Sequence, residues 1–238
     1  MTLQGQRILV TGAANGIGRA TAAELAARGA SVATFDRDPC PGASHHSVGD
    51  VSVEADVVRG IKDAAGALGG LDCLVNNAGI VLEKPLFETT AEDFDRIIAV
   101  NLRGVFLMAR EVARHFQSGP RSSPGRIINL ASELAHLGRA EYSAYCASKG
   151  GVVSLTRSLA RELAPAVLVN AVAPGPTDTA MLQSERQYEM LKATAEGIPL
   201  GRLGEAQEVA RAIAFLASDD ATFMTGAVLD VNGGAVMA

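Results

Sequence analysis

The sequence predicts an α/β fold built around a mostly parallel sheet, and three observations lead there. Short apolar runs alternate with longer amphipathic ones from end to end, the trace of repeated strand–helix units. The chain has 238 residues, 48% of them hydrophobic and 20% charged, enough to bury a sizeable core in one domain spanning residues 1–238. Only 4% of residues are aromatic and Trp is absent, while Gly and Ala are frequent. That composition suits helices packed closely on a sheet.

Taken in order, strands are expected near "RILVTG" (7–12), "SVATFD" (31–36), "DCLVNNAG" (72–79), "GRIINLAS" (125–132), "VLVNAVAPG" (167–175) and "AVLDVNGG" (227–234). Helices are expected between them near 16–29, 52–67, 90–117, 143–164 and 205–217. One interval is short: between Asp36 and Asp50 there is room for a loop and one short strand, but no helix. The stretch "DPCPGASHH" also breaks any helix. His45 and His46 fall there without an acidic or Cys partner at ligand spacing, so they read as residues of a solvated loop and no metal site is expected.

Charge and cysteine usage exclude several function classes. The formal net charge is −5 and no basic run offsets it, which argues against nucleic acid as a partner. Cys40, Cys73 and Cys146 are too few and too unevenly placed for a disulfide framework or a four-ligand zinc site, so a reducing cytoplasm is the expected compartment. The start, "MTLQGQRILVTG", has no long apolar signal core, and no apolar stretch is long enough to span a bilayer. No membrane association is expected.

The first chemical motif is "TGAANGIGRA" (11–20), which follows the first strand and opens the first helix. Gly12, Gly16 and Gly18 remove Cβ atoms where the chain turns, where a ligand approaches the backbone and where helix packs on strand. The amides of the helix N-terminus are then free to hold a pyrophosphate. Asp36 ends the second strand 18 residues after Gly18, near the offset of a carboxylate that accepts from an adenosine ribose. It would repel a 2′-phosphate, so NAD is expected over NADP. Arg37 beside it is the feature that would suit a phosphate, and "AAN" at 13–15 adds no second cation.

A second motif is "EYSAYCASKGG" (141–151), in which Tyr145 and Lys149 are four residues apart and so share one helical face. Together with "NNAG" (76–79), Asn101 in "VNLRG", Ser132 in "NLAS" and "PGPTDT" (174–179), these motifs occur in the order that resembles the short-chain dehydrogenase/reductase family over essentially the whole chain. The resemblance implies a single-domain, Rossmann-type, doubly wound sheet of seven parallel strands, shortened after the second strand, and a homotetramer. It implies that Tyr145 exchanges the alcohol proton while hydride moves between carbon and nicotinamide. A free phenol has a pKa of about 10, and the Lys149 ammonium with the positive nicotinamide favours its phenolate. Lys149 also holds the nicotinamide ribose, Ser132 the substrate oxygen, and Asn101 a water that relays the proton.

By the same resemblance, Asn15 and Ile17 of the glycine turn, Asp50 and Val51, Asn77, Ala78 and Gly79, and Pro174, Gly175, Thr177 and Thr179 contact the cofactor. The stretch "AMLQSERQYEML" (180–191) is expected to form a helical lid over the substrate. Finer patterns, "ASELAHLGRAEYSAYCASK", "PGPTDTAM" and "IPLGRLGEAQEVARAIAFLASD", are similar to those of 2,3-dihydro-2,3-dihydroxybenzoate dehydrogenases, which implies oxidation of a cyclic, carboxylated dihydrodiol. His136 and Arg139, between Ser132 and Tyr145, then belong to the substrate pocket. Arg139 reads either as a carboxylate clamp or as a surface loop residue, and Glu83 and Lys84 fall near the pocket mouth. Two other classes remain in view: the same mechanism on sugars, steroids or small hydroxy compounds, and a catalytically idle NAD-binding redox sensor. The reaction is reversible, so cellular cofactor ratios set its direction.

Overall fold

The computed structural model describes residues 2–40, 42–118, 123–179 and 195–237. In chain order its strands are β1 (Arg7–Thr11), β2 (Ser31–Asp36), β3 (His45–Val48), β4 (Cys73–Asn76), β5 (Gly125–Leu130), β6 (Val167–Pro174), β7 (Thr177–Asp178), β8 (Gly204–Glu205) and β9 (Val228–Val231). The helices are α1 (Gly16–Ala27), α2 (Glu54–Leu68), α3 (Ala91–Ile98), α4 (Gly104–Gln117), α5 (Leu134–Leu137), α6 (Ser143–Leu163) and α7 (Ala206–Ala217). Seven strands form one sheet in the order β3-β2-β1-β4-β5-β6-β9, each neighbouring pair parallel. β7 and β8 make a separate two-stranded ladder.

The sheet is parallel because both of its faces are wanted inside. Along β1, Ile8 and Val10 face one side and Leu9 the other, all fully buried, as alternation along a strand requires. Leu25 of α1 and Val209, Ile213 and Leu216 of α7 cover the Ile8/Val10 face. Val57 and Ile61 of α2, with Leu107, Met108 and Val112 of α4 and Ala160 of α6, cover the Leu9 face. Burying such aliphatic side chains contributes roughly 1.5–3 kcal/mol each. The strand order reverses between β1 and β4, so a crevice opens at the carboxyl ends of those two strands.

Local signals start and stop the helices. Thr90 caps α3 with a reciprocal pair: its hydroxyl accepts from Asp93 N at 3.1 Å, and Asp93 Oδ2 accepts from Thr90 N at 3.2 Å. α2 ends at Gly69 in the left-handed region, φ 72°.

Three expectations need correction. The segment read as one helix over 90–117 is interrupted by a π turn at Ala99–Arg103, where Gly104 N reaches back to Ala99 O. The extra residue per turn leaves the apolar periodicity almost intact, which is why the sequence did not reveal it. His45 and His46 lie on the edge strand β3 and are half-buried; His46 Nδ1 meets Thr34 Oγ1 at 3.0 Å. The four-residue helix α5 is too short to leave a periodic signal. The shortened connection after β2 is as expected, with no helix between Asp36 and His45 among the described residues. Residues 180–191, read as a lid, lie outside the described residues.

Two glycines of α2 make opposite predictions. A Cβ on Gly60 would lie 2.4 Å from the Phe35 ring, whereas one on exposed Gly66 would meet nothing within 4 Å. Gly60→Ala is expected to destabilise by about 1–3 kcal/mol through overpacking. Gly66→Ala is expected to stabilise by up to about 1 kcal/mol through helix propensity. Urea unfolding of both variants against the parent checks the sign of each.

Candidate active site

The crevice is a cleft of about 500 Å³ running over the carboxyl ends of the strands. Its floor at β1 is pinned by hydrogen bonds from the residue after β4: Asn77 Nδ2 donates to Thr11 O at 3.0 Å and to Gly12 O at 2.8 Å. Thr11 Oγ1 accepts from Asn77 N and Ala78 N, both at 3.1 Å. Gly12 adopts φ +66°, and a Cβ there would come within 2.6 Å of Ala78 Cα. Only a glycine fits this approach. Asp36 accepts from Ala14 N at 2.9 Å and from Asp38 N at 3.1 Å, tying the glycine turn to the end of β2 while its carboxylate keeps further lone pairs for a ligand.

This end of the cleft fits a dinucleotide. The turn brings bare backbone and the first amides of α1 to the surface, and the carboxylate stands beside them. Arg37 is largely exposed and lies 4.0 Å from Asp50 Oδ2. Asp50 itself accepts from Ser52 N at 2.8 Å and Ser52 Oγ at 2.7 Å.

At the other end the cleft is lined by Ser132 after β5 and by Tyr145 and Lys149 on α6. Lys149 is buried, donates to Leu130 O at 2.7 Å and sits 5.8 Å from the Tyr145 ring centroid. Burial pushes the ammonium down to about 8. Burial likewise pushes the Tyr145 phenol up to about 12, with the Ser132 hydroxyl pulling it down and Cys146 and Glu133 pushing it further up. Burial thus moves the two groups apart, each toward its neutral form, so the phenol holds its proton and the ammonium gives one up more easily than in water.

Asn101 sits in the π turn, fully buried, and its side chain is fully engaged. Its Nδ2 donates to Ile80 O at 2.8 Å and Ser148 Oγ at 3.1 Å, and its Oδ1 accepts from Ile80 N at 2.8 Å. The amide therefore braces the loop after β4 and does not line the cleft.

Of the residues predicted for cofactor contact, all but Gly18 line the cleft. Gly18 is buried beneath it: a Cβ would lie 2.0 Å from Gly12 O and 2.4 Å from Asn77 Nδ2. Its place is helix–strand packing. Of the residues predicted for substrate contact, Ser132, Arg139 and Tyr145 line the cleft and His136 does not. His136 is on α5 with its side exposed to solvent, because the short helix turns it away from the cleft. Arg139 is no plain surface residue; its guanidinium lies 5.1 Å from the Tyr142 ring centroid. Glu83 accepts from Tyr142 Oη at 2.8 Å, and Lys84 pairs with Asp93 at 2.6 Å.

Sequence reasoning missed Glu133. It follows Ser132 directly, lines the cleft, is 6% exposed, and its Oε2 has no hydrogen-bond partner among the described residues. Its carboxyl is pushed up to about 7 by burial, with Arg139 pulling down and Asp230 pushing up. The signal available in the sequence was its position beside Ser132 alone.

A family model described as enoyl-(acyl carrier protein) reductase matches residues 12–236. Glucose 1-dehydrogenase of Gluconobacter oxydans is 40% identical, the alignment covering 97% of this chain and 91% of that protein. The 3-oxoacyl-(acyl-carrier-protein) reductase of Vibrio cholerae is 40% identical over the full length of both chains, 100% of each. Among solved structures, 3-ketoacyl-(acyl-carrier-protein) reductase from Brucella melitensis complexed with NADH superposes with a TM-score of 0.93 at 38% identity, covering 99% of this chain and 100% of that one. Aldohexose dehydrogenase of Thermoplasma acidophilum gives 0.91 at 33% identity, covering 98% and 94%. The chain belongs to the short-chain dehydrogenase/reductase family. It is accordingly an oxidoreductase that acts on CH–OH groups with a nicotinamide cofactor.

The buried carboxyl gives a stability prediction. Glu133 has an ordinary value of 4.5 and a folded value of about 7, so folding takes up a proton between those limits and stability falls as pH rises through them. At about 1.4 kcal/mol per unit, the cost above pH 7 is on the order of 3 kcal/mol. Glu133→Gln, which cannot ionise, is expected to gain on the parent as pH rises from 5 to 7.5 (about 1–3 kcal/mol). Unfolding midpoints of both proteins at the two pH values check this.

Proposed function

We propose that the protein is an NAD-dependent dehydrogenase for a secondary alcohol carried on a ring, a dihydrodiol or a sugar. The observation that carries this reading is the convergence of Ser132, Tyr145 and Lys149 at one end of a cleft whose other end presents Asp36. A carboxylate at that position accepts from ribose hydroxyls and repels a 2′-phosphate, which favours NAD. A bound nicotinamide supplies the hydride acceptor in oxidation and the donor in reduction.

Tyr145 takes the proton from the substrate hydroxyl, or returns it to a carbonyl oxygen. The Lys149 ammonium, 5.8 Å from its ring centroid, and the positive charge of an oxidised nicotinamide are the cations that would offset the burial raising the phenol. The Ser132 hydroxyl holds the same substrate oxygen, which fixes the carbon against the cofactor side of the cleft. Lys149 also reaches the nicotinamide ribose. Asn101, whose two amide hydrogens go to Ile80 and Ser148, acts by bracing the loop after β4 against the helix that carries Tyr145 and Lys149.

The ring preference draws on the relatives named for glucose and aldohexose and on the resemblance to 2,3-dihydro-2,3-dihydroxybenzoate dehydrogenases. For a carboxylated dihydrodiol, Arg139 is the cation in the cleft that receives the carboxylate. Reduction of a 3-oxoacyl thioester is the second reading, favoured by the full-length identity of 40% to the Vibrio cholerae reductase. The protein is further proposed to act as a homotetramer, which would cover exposed Phe106 and Phe223. Free Cys40, Cys73 and Cys146 support a cytoplasmic setting.

Assaying aldohexoses, cyclic dihydrodiols and 3-hydroxyacyl thioesters with NAD⁺, following reduced nicotinamide, separates these substrates. Inactivity on every cyclic alcohol would sink the main reading. Tyr145→Phe is expected to lose activity by about 100- to 10,000-fold while NADH binding stays within about twofold, because the phenol volume is kept; substantial turnover by the variant would overturn the assigned role. Asp36→Ala is expected to narrow the preference for NAD over NADP by removing both the ribose acceptor and the repelling charge. Dissociation constants for both cofactors at one salt concentration decide it, and a parent protein that prefers NADP would give Arg37 the deciding role.

A further inference from the structure

Glu133 is an expensive residue to keep where it is. Glu133 lines the cleft while only 6% exposed, and its Oε2, buried against the protein, has no partner among the described residues. Leaving a buried carboxyl unsatisfied costs more than the net gain of a typical hydrogen bond. An apolar residue there would cost nothing of the kind.

Its placement is set by main chain. Glu133 N donates to Pro174 O at 3.0 Å, and a Cβ built on Gly175 would lie 3.0 Å from Glu133 Oε2. The carboxyl therefore rests on the bare backbone of Gly175, next to Ser132 in the chain and in the same cleft as Tyr145. Its charge raises the proton affinity of the Tyr145 phenol, which places it within electrostatic reach of the reacting oxygen. Arg139 and Asp230 are the other charges it feels, and neither is hydrogen-bonded to it.

We infer that Glu133 is a specificity residue that binds a second hydroxyl group, on the carbon next to the one being oxidised, so that the site selects vicinal diols over isolated alcohols. This rests on the reading of the protein as a dehydrogenase of cyclic alcohols. Ser132 and Tyr145 hold the oxygen that reacts; Glu133 takes the neighbouring one. The chemistry is shared by sugars and dihydrodiols. A polar site left unpaired by a substrate that lacks the hydroxyl rejects that substrate strongly, whereas a missing methylene is rejected weakly.

The test compares cis- and trans-cyclohexane-1,2-diol with cyclohexanol as substrates for the parent protein, Glu133→Gln and Glu133→Leu, with thermal melts and NADH titrations to establish that each variant folds and binds cofactor. The parent is expected to prefer its better diol isomer by about 100-fold or more in kcat/KM. Glu133→Leu should bring that ratio to within about threefold of one, the ratio cancelling any effect of the lost charge on Tyr145 that both substrates share, and Glu133→Gln, which keeps a hydrogen-bonding group, should fall between. Two further pairs, an aldohexose and cyclohexa-3,5-diene-1,2-diol each against its monodeoxy analogue, identify which diol source the site takes.

A parent protein with no diol preference, or a Glu133→Leu variant that keeps it, overturns the inference. So does a variant that loses NADH affinity while the ratio stands, since Glu133 would then serve the cofactor. Saturation-transfer NMR with the protein–NADH complex reads diol against mono-ol binding without turnover. If no cyclic alcohol is oxidised, the proposed function fails while this binding comparison still decides the role of Glu133.

Discussion

Asn101 stands where three pieces of chain meet, and its amide holds them in register. It exchanges hydrogen bonds of 2.8 Å in both directions with the main chain of Ile80, and it donates to Ser148 of α6 at 3.1 Å. Ser148 Oγ in turn donates to Tyr145 O at 2.7 Å. The loop after β4, the π turn and the helix carrying Tyr145 and Lys149 are thereby tied to one fully buried side chain. A buried amide leaves its partners unsatisfied when removed, so this junction tolerates little change. Gly79 shows how tightly the pieces meet: a Cβ there would sit 3.3 Å from Asn101 Oδ1 and 3.6 Å from Lys149 Nζ.

The two ends of the cleft use charge differently. At the glycine-turn end Asp36 is half-exposed and held by main-chain donors, which leaves further carboxylate lone pairs open to a ligand. At the other end Lys149 and Glu133 are buried, and burial moves both toward neutrality. Groups in that condition change protonation readily when a ligand brings its own charge or donor. One cleft therefore combines an open carboxylate at one end with buried titratable groups at the other.

Much of this was legible in the sequence, for reasons that differ by element. The buried strands announced themselves as short apolar runs, and β1 followed by "TGAANGIG" located the crevice. Tyr145 and Lys149 were visible through helical spacing, and Ser132 through its position at a strand end. The π turn was hidden because one added residue barely disturbs a helical stripe. His45 and His46 looked like loop because Pro, Gly and Ser precede them, yet pairing of β3 with β2 decides their conformation. Glu133 was missed because a lone acidic residue carries no pattern; only the fold shows it turned inward against Gly175. Gly18 and His136 were placed in the cleft by motif and neighbourhood, and three-dimensional packing puts them beside it.

The bond from Lys149 Nζ to Leu130 O has a mechanical meaning. Leu130 ends β5, and Ser132 follows it by two residues. The Lys149 ammonium and the Ser132 hydroxyl are thus referenced to the same stretch of strand, although they come from different elements. When the sheet flexes, the strand end carries both along, and the distance between them is conserved to first order. A sheet that twists slightly as a ligand enters would displace the reacting corner as a unit and leave its internal geometry unchanged.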